Sequence, residues 1–275
     1  MEITKLYNGE IELSSEPIKH LYFIGDKKVS SVTGILGCIS KPALTWWSAE
    51  VASGHWIEFL TKGVYSLDKD DRKKVIRVIE GVWDVPSIDE ITLQDNHTKA
   101  RFAHYNAKKS AADIGTLGHK WCEQYIKGEN PITPVNPQLK AITDAFLEWM
   151  KNNKVEFLKS EIKIYSKKYN YAGTMDFEAM VNGKLVLGDI KTSGAIYPEM
   201  RMQTAAYRQT RQEETGQIYD HQLIIRLGKF PKEDGTPDFE VSEFNEFEKD
   251  IRGFIGALIL SNRLSEYKDE EAKCK

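Results

Sequence analysis

Asn182-Gly183, set between two apolar runs, constrains this chain more than any other feature. A type I′ turn needs positive φ at both central residues, and Asn-Gly is the dipeptide that supplies them most readily. With those two residues as the loop, Val181 pairs with Lys184, and each step outward keeps the residue numbers summing to 365. Asp176 then falls across from Asp189. Opposed residues on one face have Cβ atoms roughly 4.5–5.5 Å apart, and like charges there repel. A bound divalent cation is the commonest reason for such a pair. Strand alternation puts Lys191 on the same face, opposite Thr174. Leu185-Val186-Leu187 is too apolar for an exposed strand, so two carboxylates and an ammonium are expected at the end of a buried hairpin. Gly173 and Gly188 keep side-chain bulk away from that end.

The remaining pattern places this hairpin in an α/β chain with a mixed sheet. Residues 20–32 alternate as a first hairpin around Gly25-Asp26, Ser31 or Thr33 can cap the turn that follows, and Pro42 can open a helix. Apolar and small residues recur at spacings of three and four from about 97 to 127, and Gln138 to Lys151 reads as a second helix. Strand-like runs at 157–165, 171–181 and 184–191 precede a helix near 199–214, strands near 219–227 and 238–243, and an amphipathic C-terminal helix from Phe247. The charged, turn-rich stretch 66–95 marks the expected boundary. Residues 1–95 are expected to form a helical and hairpin extension over the site, and 96–275 the core.

Composition narrows the partners. Apolar residues make up 41% of the 275, enough for a real core, and no run reaches the roughly 18 that a membrane helix needs. The N-terminus carries no basic and apolar leader pattern. Three dispersed cysteines, Cys38, Cys122 and Cys274, fit a reducing cytoplasm and cannot supply a four-cysteine iron–sulfur cluster. The net charge of −3 hides an asymmetry: Lys99 to Arg208 holds 17 Lys plus Arg against 11 Asp plus Glu, a local +6 around the hairpin acids. Phosphate neutralisation depends on such local fields.

Further candidate groups flank the hairpin. His119 and Glu123 lie one helical turn apart on one face, in a stretch of small residues that permits close packing. Gln203 and Tyr207 are spaced likewise. Trp46, Trp47, Trp56 and Phe59 could stack on bases or fill a core. There is no phosphate-binding loop of the G-x-x-x-x-G-K-[ST] kind and no support for a nucleophilic triad.

Taken in order, Gly115-Thr116-x-x-His119-x-x-x-Glu123, Gly173-Thr174-Met175-Asp176, Asp189-Ile190-Lys191 and Gln203-x-x-x-Tyr207 resemble the RecB-like branch of the PD-(D/E)XK nuclease superfamily. The segment Ser31 to Trp47 resembles the N-terminal part of phage-encoded exonucleases and of the mitochondrial genome maintenance exonuclease. The resemblance implies a restriction-endonuclease-like core and a metal held by His119, Asp176, Asp189 and the Ile190 carbonyl. Lys191 would be the catalytic lysine, with Gln203 and Tyr207 on the family's Q-x-x-x-Y helix. Glu161 would be the acid of the first core strand. Glu161, Thr174, Trp46, Trp47, Lys108 and Lys109 would contact substrate. Oxygen-rich ligation selects Mg²⁺, and one imidazole makes Mn²⁺ a good substitute. The expected activity is hydrolysis of DNA from an end, in phage-type recombination or DNA processing. The rivals are a structure-specific endonuclease on the same core and a binding module with little turnover. A single-strand annealing protein or other recombination partner and an oligomer fit the resemblance, as does a bacterial host cytoplasm; no membrane is expected.

Overall fold

The computed structural model describes residues 1–16, 20–39, 42–61 and 90–273; the side chains of 42–44, 59–61, 90–94 and 273 lie outside that description. The Phe59 ring and most of the charged stretch 66–95 are therefore outside the described residues. Among the described residues the strands are β1 (Glu2–Leu6), β2 (Ile11–Glu16), β3 (Leu21–Ile24), β4 (Lys27–Ser31), β5 (Val155–Ser166), β6 (Tyr171–Val181), β7 (Lys184–Lys191), β8 (His221–Leu227) and β9 (Phe239–Phe244). The helices are α1 (Val32–Leu36), α2 (Pro42–Thr61), α3 (Glu90–Ile126), α4 (Pro137–Lys151), α5 (Pro198–Thr215) and α6 (Phe247–Lys273). No helix among the described residues is long and apolar enough to cross a membrane.

Local chemistry sets these boundaries. Asn182 (φ 50°) and Gly183 (φ 82°) take the two positive φ angles that join β6 to β7. Ser31 caps α1, its Oγ accepting from the Gly34 N–H at 3.0 Å. Asn136 caps α4, where Pro137 occupies the first turn, and Gly216 ends α5 in the left-handed region.

The strands form a mixed sheet in the order β1-β2-β3-β4-β6-β7-β8-β9, with β5 also paired to β6. The β4–β6 and β7–β8 pairs are parallel and the rest antiparallel. Helices flank the sheet. On one side α1, α5 and α6 bury Val32, Ile35, Tyr207 and Phe254 against Met175 and Leu187. On the other, Trp121 of α3 and Ile142, Phe146 and Trp149 of α4 pack on Phe177, Ala179, Val186 and Ile190. A third cluster joins Leu6, Leu13, Tyr22 and Val29 to Ala172 of β6.

Contacts divide the chain into two compact units: Met1–Ser40 with Ile114–Lys275, and Lys41–Asp113. This is not the division at residue 95 expected from the sequence. The first forty residues belong with the sheet, because β4 pairs with β6 and the third cluster buries that join.

The edge of β6 that faces β7 is shared between two neighbours. From Val181 back to Phe177 it pairs with β7; at Ala172 and Tyr171 it pairs with β4. Residues 173–176 lie between the two, in a fork of the sheet.

Candidate active site

Asp176 stands in that fork. The hairpin keeps the expected register from Val181↔Lys184 to Phe177↔Gly188 and then stops. Asp176 and Asp189 are therefore not a ladder pair, as the register alone implied. Instead the Ile190 N–H donates to Asp176 Oδ2 at 2.6 Å, a backbone donor turned to the carboxylate.

The cause is a change of face. Gly173 and Met175 look toward Tyr207 and the α5 side, whereas Phe177, Ala179 and Val181 pack on the α4 side. Regular alternation would keep all five on one face. The switch falls at Asp176, and on β5 at Glu161, between the pairs Ser160↔Phe177 and Ile162↔Met175. Glu161 holds φ at 50°. Such irregularities re-aim side chains beside functional sites, and a strained residue of this kind costs roughly 1–3 kcal/mol. The switch also corrects the expectation that Thr174 shares a face with Lys191. Thr174 turns away from α5, and its Oγ1 lies 2.9 Å from the Tyr22 hydroxyl.

Asp189 is buried at 2% exposure, at the inner end of β7. Gln203 Nε2 donates to its Oδ1 at 3.3 Å and to the Tyr207 hydroxyl at 2.8 Å. Lys191 Nζ forms an ion pair with Asp189 Oδ2, yet that oxygen receives no well-aligned hydrogen bond. Burial raises the Asp189 pKa; Lys191 works against this and Asp176 with it. Burial likewise raises the Tyr207 hydroxyl far above its usual value, so it remains a neutral hydrogen-bonding group.

Helix α3 delivers His119. A Cβ on Gly115 would lie 2.7 Å from Thr192 Oγ1, and one on Gly118 3.0 Å from Ile142 Cγ2. The two glycines thus bring the helix close to Thr192, just past β7, and to Ile142 of α4. His119 Nδ1 then lies 3.5 Å from Asp176 Oδ2, with a third of the imidazole exposed. Glu123, one turn on, pairs with Lys127. Glu161 completes the acids. Burial, then the Asp176 and Glu123 carboxylates, push its pKa up to about 7.

His119, Glu161, Asp176, Asp189, Lys191, Gln203 and Tyr207 are thus brought together in one unit. Trp46, Trp47, Lys108 and Lys109 belong to the other unit. There Trp46 is 78% exposed, Trp47 half-buried, both lysines exposed, and the Trp56 ring lies 6.3 Å from that of His97. Sequence reasoning passed over Tyr22 and Lys163. The signal for Lys163 was present, since Glu161-Ile162-Lys163 repeats the spacing of Asp189-Ile190-Lys191. Nothing in the sequence tied Tyr22 to Thr174, 152 residues away.

The donor set suits a hard divalent cation. Asp189 Oδ2 is a buried oxygen without an aligned hydrogen bond, Asp176 faces it across the fork, and His119 adds one nitrogen. Among the described residues no three His, Cys, Asp or Glu side chains form a ready metal cage. Mg²⁺ is commonly bound by one or two carboxylates and keeps several waters.

No family model matches the chain, and no curated protein does. Among solved structures it is similar to the crystal structure of SSO0001, at 20% identity over 44% of this chain and 59% of that one, with a TM-score of 0.27. It is also similar to an alkaline exonuclease (LHK-Exo) from Laribacter hongkongensis, at 16% identity over 48% of this chain and 71% of that one, with a TM-score of 0.27. The chain thus spans less than two thirds of the first of these structures. Function has to be read from the site itself.

Proposed function

We propose that the chain is a divalent-metal-dependent deoxyribonuclease with a PD-(D/E)XK core, acting from DNA ends. The observation that carries this reading is the fork: Asp176 and Asp189 converge there with Lys191 and His119, and Asp189 keeps one buried oxygen free of aligned hydrogen bonds. Asp176, Asp189, His119 and the Ile190 carbonyl would hold Mg²⁺ or Mn²⁺, which supplies Lewis acidity to the phosphate and lowers the pKa of water.

The chain's own residues divide the remaining work. Lys191 is an ammonium at the mouth of the fork. It can donate to an attacking water and stabilise the charge that develops on the phosphorus oxygens. Gln203 fixes Asp189 from behind, and Tyr207 fixes Gln203. These two are positioning residues. The Ile190 N–H holds Asp176 in its re-aimed direction. The local +6 charge from Lys99 to Arg208 favours a polyanionic substrate despite the acids within it.

Action from an end rests on the likeness of Ser31 to Trp47 to exonucleases, so the deciding experiment addresses topology. End-labelled linear DNA and covalently closed single-stranded circles are incubated at equal nucleotide concentration with Mg²⁺. Progressive loss of the linear form with persistence of the circle is expected. Cleavage of the circle at a comparable initial rate replaces the exonuclease with an endonuclease. Inert linear DNA in both Mg²⁺ and Mn²⁺ removes the nuclease reading and leaves a binding module.

A further inference from the structure

Lys163 takes no part in the chemistry just described, yet it stands beside it. It lies on β5 two residues beyond Glu161 and directly across from Thr174 on β6. Its side chain is only 12% exposed. Lysines are almost never buried without a partner. The nearest acid oxygen, Glu161 Oε2, is 3.8 Å from Nζ, beyond hydrogen-bond reach. Among the described residues the Lys163 ammonium donates no hydrogen bond to protein. Its neighbours differ: Lys191 is drawn onto Asp189, and Lys127 is hydrogen-bonded to Glu123. Among the described residues Lys163 thus has an ion-pair partner in Glu161 but no protein acceptor for its three N–H donors. The Tyr22–Thr174 hydroxyl pair, opposite it in the register, adds a further polar contact at the same level.

We propose that Lys163 is a second phosphate grip of the site, seizing a backbone phosphate next to the scissile one. The inference rests on the reading of the substrate as DNA. A tetrahedral anion with several acceptor oxygens is the chemistry that satisfies three clustered donors. The scissile phosphate belongs to Lys191, which sits one strand beyond Thr174. The two ammonium groups are carried by different strands, Lys163 on β5 and Lys191 on β7, with β6 between them. The position also answers an electrostatic need. Asp176 and Glu161 set acidic groups beside the fork, and a cation next to them offsets their repulsion of a polyanion.

The test is a salt titration of DNA binding by the whole chain, with Ca²⁺ in place of Mg²⁺ to hold turnover down. Wild type, Lys163→Gln and Lys163→Arg are compared, each with its melting temperature. Loss of one phosphate contact should flatten the log–log slope of affinity against salt by about 0.9 on duplex or about 0.7 on single-stranded DNA. Lys163→Gln should show that loss, with its affinity deficit fading as salt rises, and Lys163→Arg should keep the wild-type slope. A wild type with a steep slope and a Lys163→Gln variant equally steep overturns the phosphate grip while leaving the DNA reading intact. A wild type with no salt-dependent binding overturns the DNA reading itself. Should Lys163→Gln melt below the assay temperature, the Glu161→Gln/Lys163→Gln double variant, which removes the charge pair together, carries the same slope comparison. In that comparison a flattened slope supports the grip and an unchanged one overturns it.

Discussion

At the scale of single residues, Asp189 and Lys191 behave as a unit, and so should their variants. The register alone suggested that removing one acid relieves a repulsion. In the structure each carboxylate has its own partner, Asp176 the Ile190 N–H and Asp189 the Lys191 ammonium in an ion pair. Asp189→Asn should cut cleavage at least a thousandfold, a barrier increase of about 4 kcal/mol. Lys191→Met leaves a buried carboxylate uncompensated and should lower stability in EDTA by on the order of 2–4 kcal/mol in urea melts. The double variant should recover most of that loss; simple additivity of the two losses would show that the ion pair is not a unit. Glu161 supplies the pH signature. Its folded pKa, about 7, lies above the ordinary carboxyl value of 4.5, so the folded state favours the proton. The associated stability is fully present below about pH 4.5 and is lost as pH rises through about 7. Metal-free protein should therefore melt at lower temperature at pH 8 than at pH 5.5, and Glu161→Gln should flatten that difference. An unchanged profile in the variant would assign the effect to another group.

At the scale of elements, what could be read from the sequence was whatever local chemistry decides. Asn182-Gly183 set the turn and the register through Phe177↔Gly188, and Pro42 marked a helix start; the helix read from Gln138 begins one residue earlier, at Pro137. Strands β1 and β2 escaped notice because Glu2 to Glu16 is rich in Ser and Glu, and their only long-buried positions are Leu6, Leu13 and Ser15. The change of face at Glu161 and Asp176 was invisible for a different reason. Neither residue carries a turn signal, and the strain is held by packing on both sides of the sheet. The glycines of α3 could be seen as small, but not what they approach. That approach is testable. Gly115→Ala gains about 0.5–1 kcal/mol of helix propensity, but its Cβ meets Thr192 Oγ1 at 2.7 Å. Cleavage should fall with little change in melting temperature, as His119 is pushed off Asp176. Thr192→Ala in the same chain should restore it. Loss of activity that Thr192→Ala cannot rescue would dissociate the helix approach from the site.

At the scale of the whole molecule, the join of β4 to β6 stands apart. It consists of two parallel pairs, Ser30↔Tyr171 and Ser31↔Ala172, and closes about 140 residues of chain. Loop-closure entropy grows only as the logarithm of length, but two pairs are little to set against it. The burial of Leu13, Tyr22 and Val29 against Ala172, and of Val32 and Ile35 against Met175 just beyond it, has to carry the join. One wall of the fork is thus the least local contact in the sheet, while the other is a two-residue hairpin. In exchange terms, the two walls should keep different clocks. The amides of Ser30 and Ser31 should trade hydrogen for deuterium through partial openings, well before those of Val186 to Ile190 at the centre of the sheet. If the two sets exchange together, the N-terminal strands unfold only with the whole molecule. If they part as expected, the fork widens many times for each global unfolding, and a strand end meets a door that is often ajar.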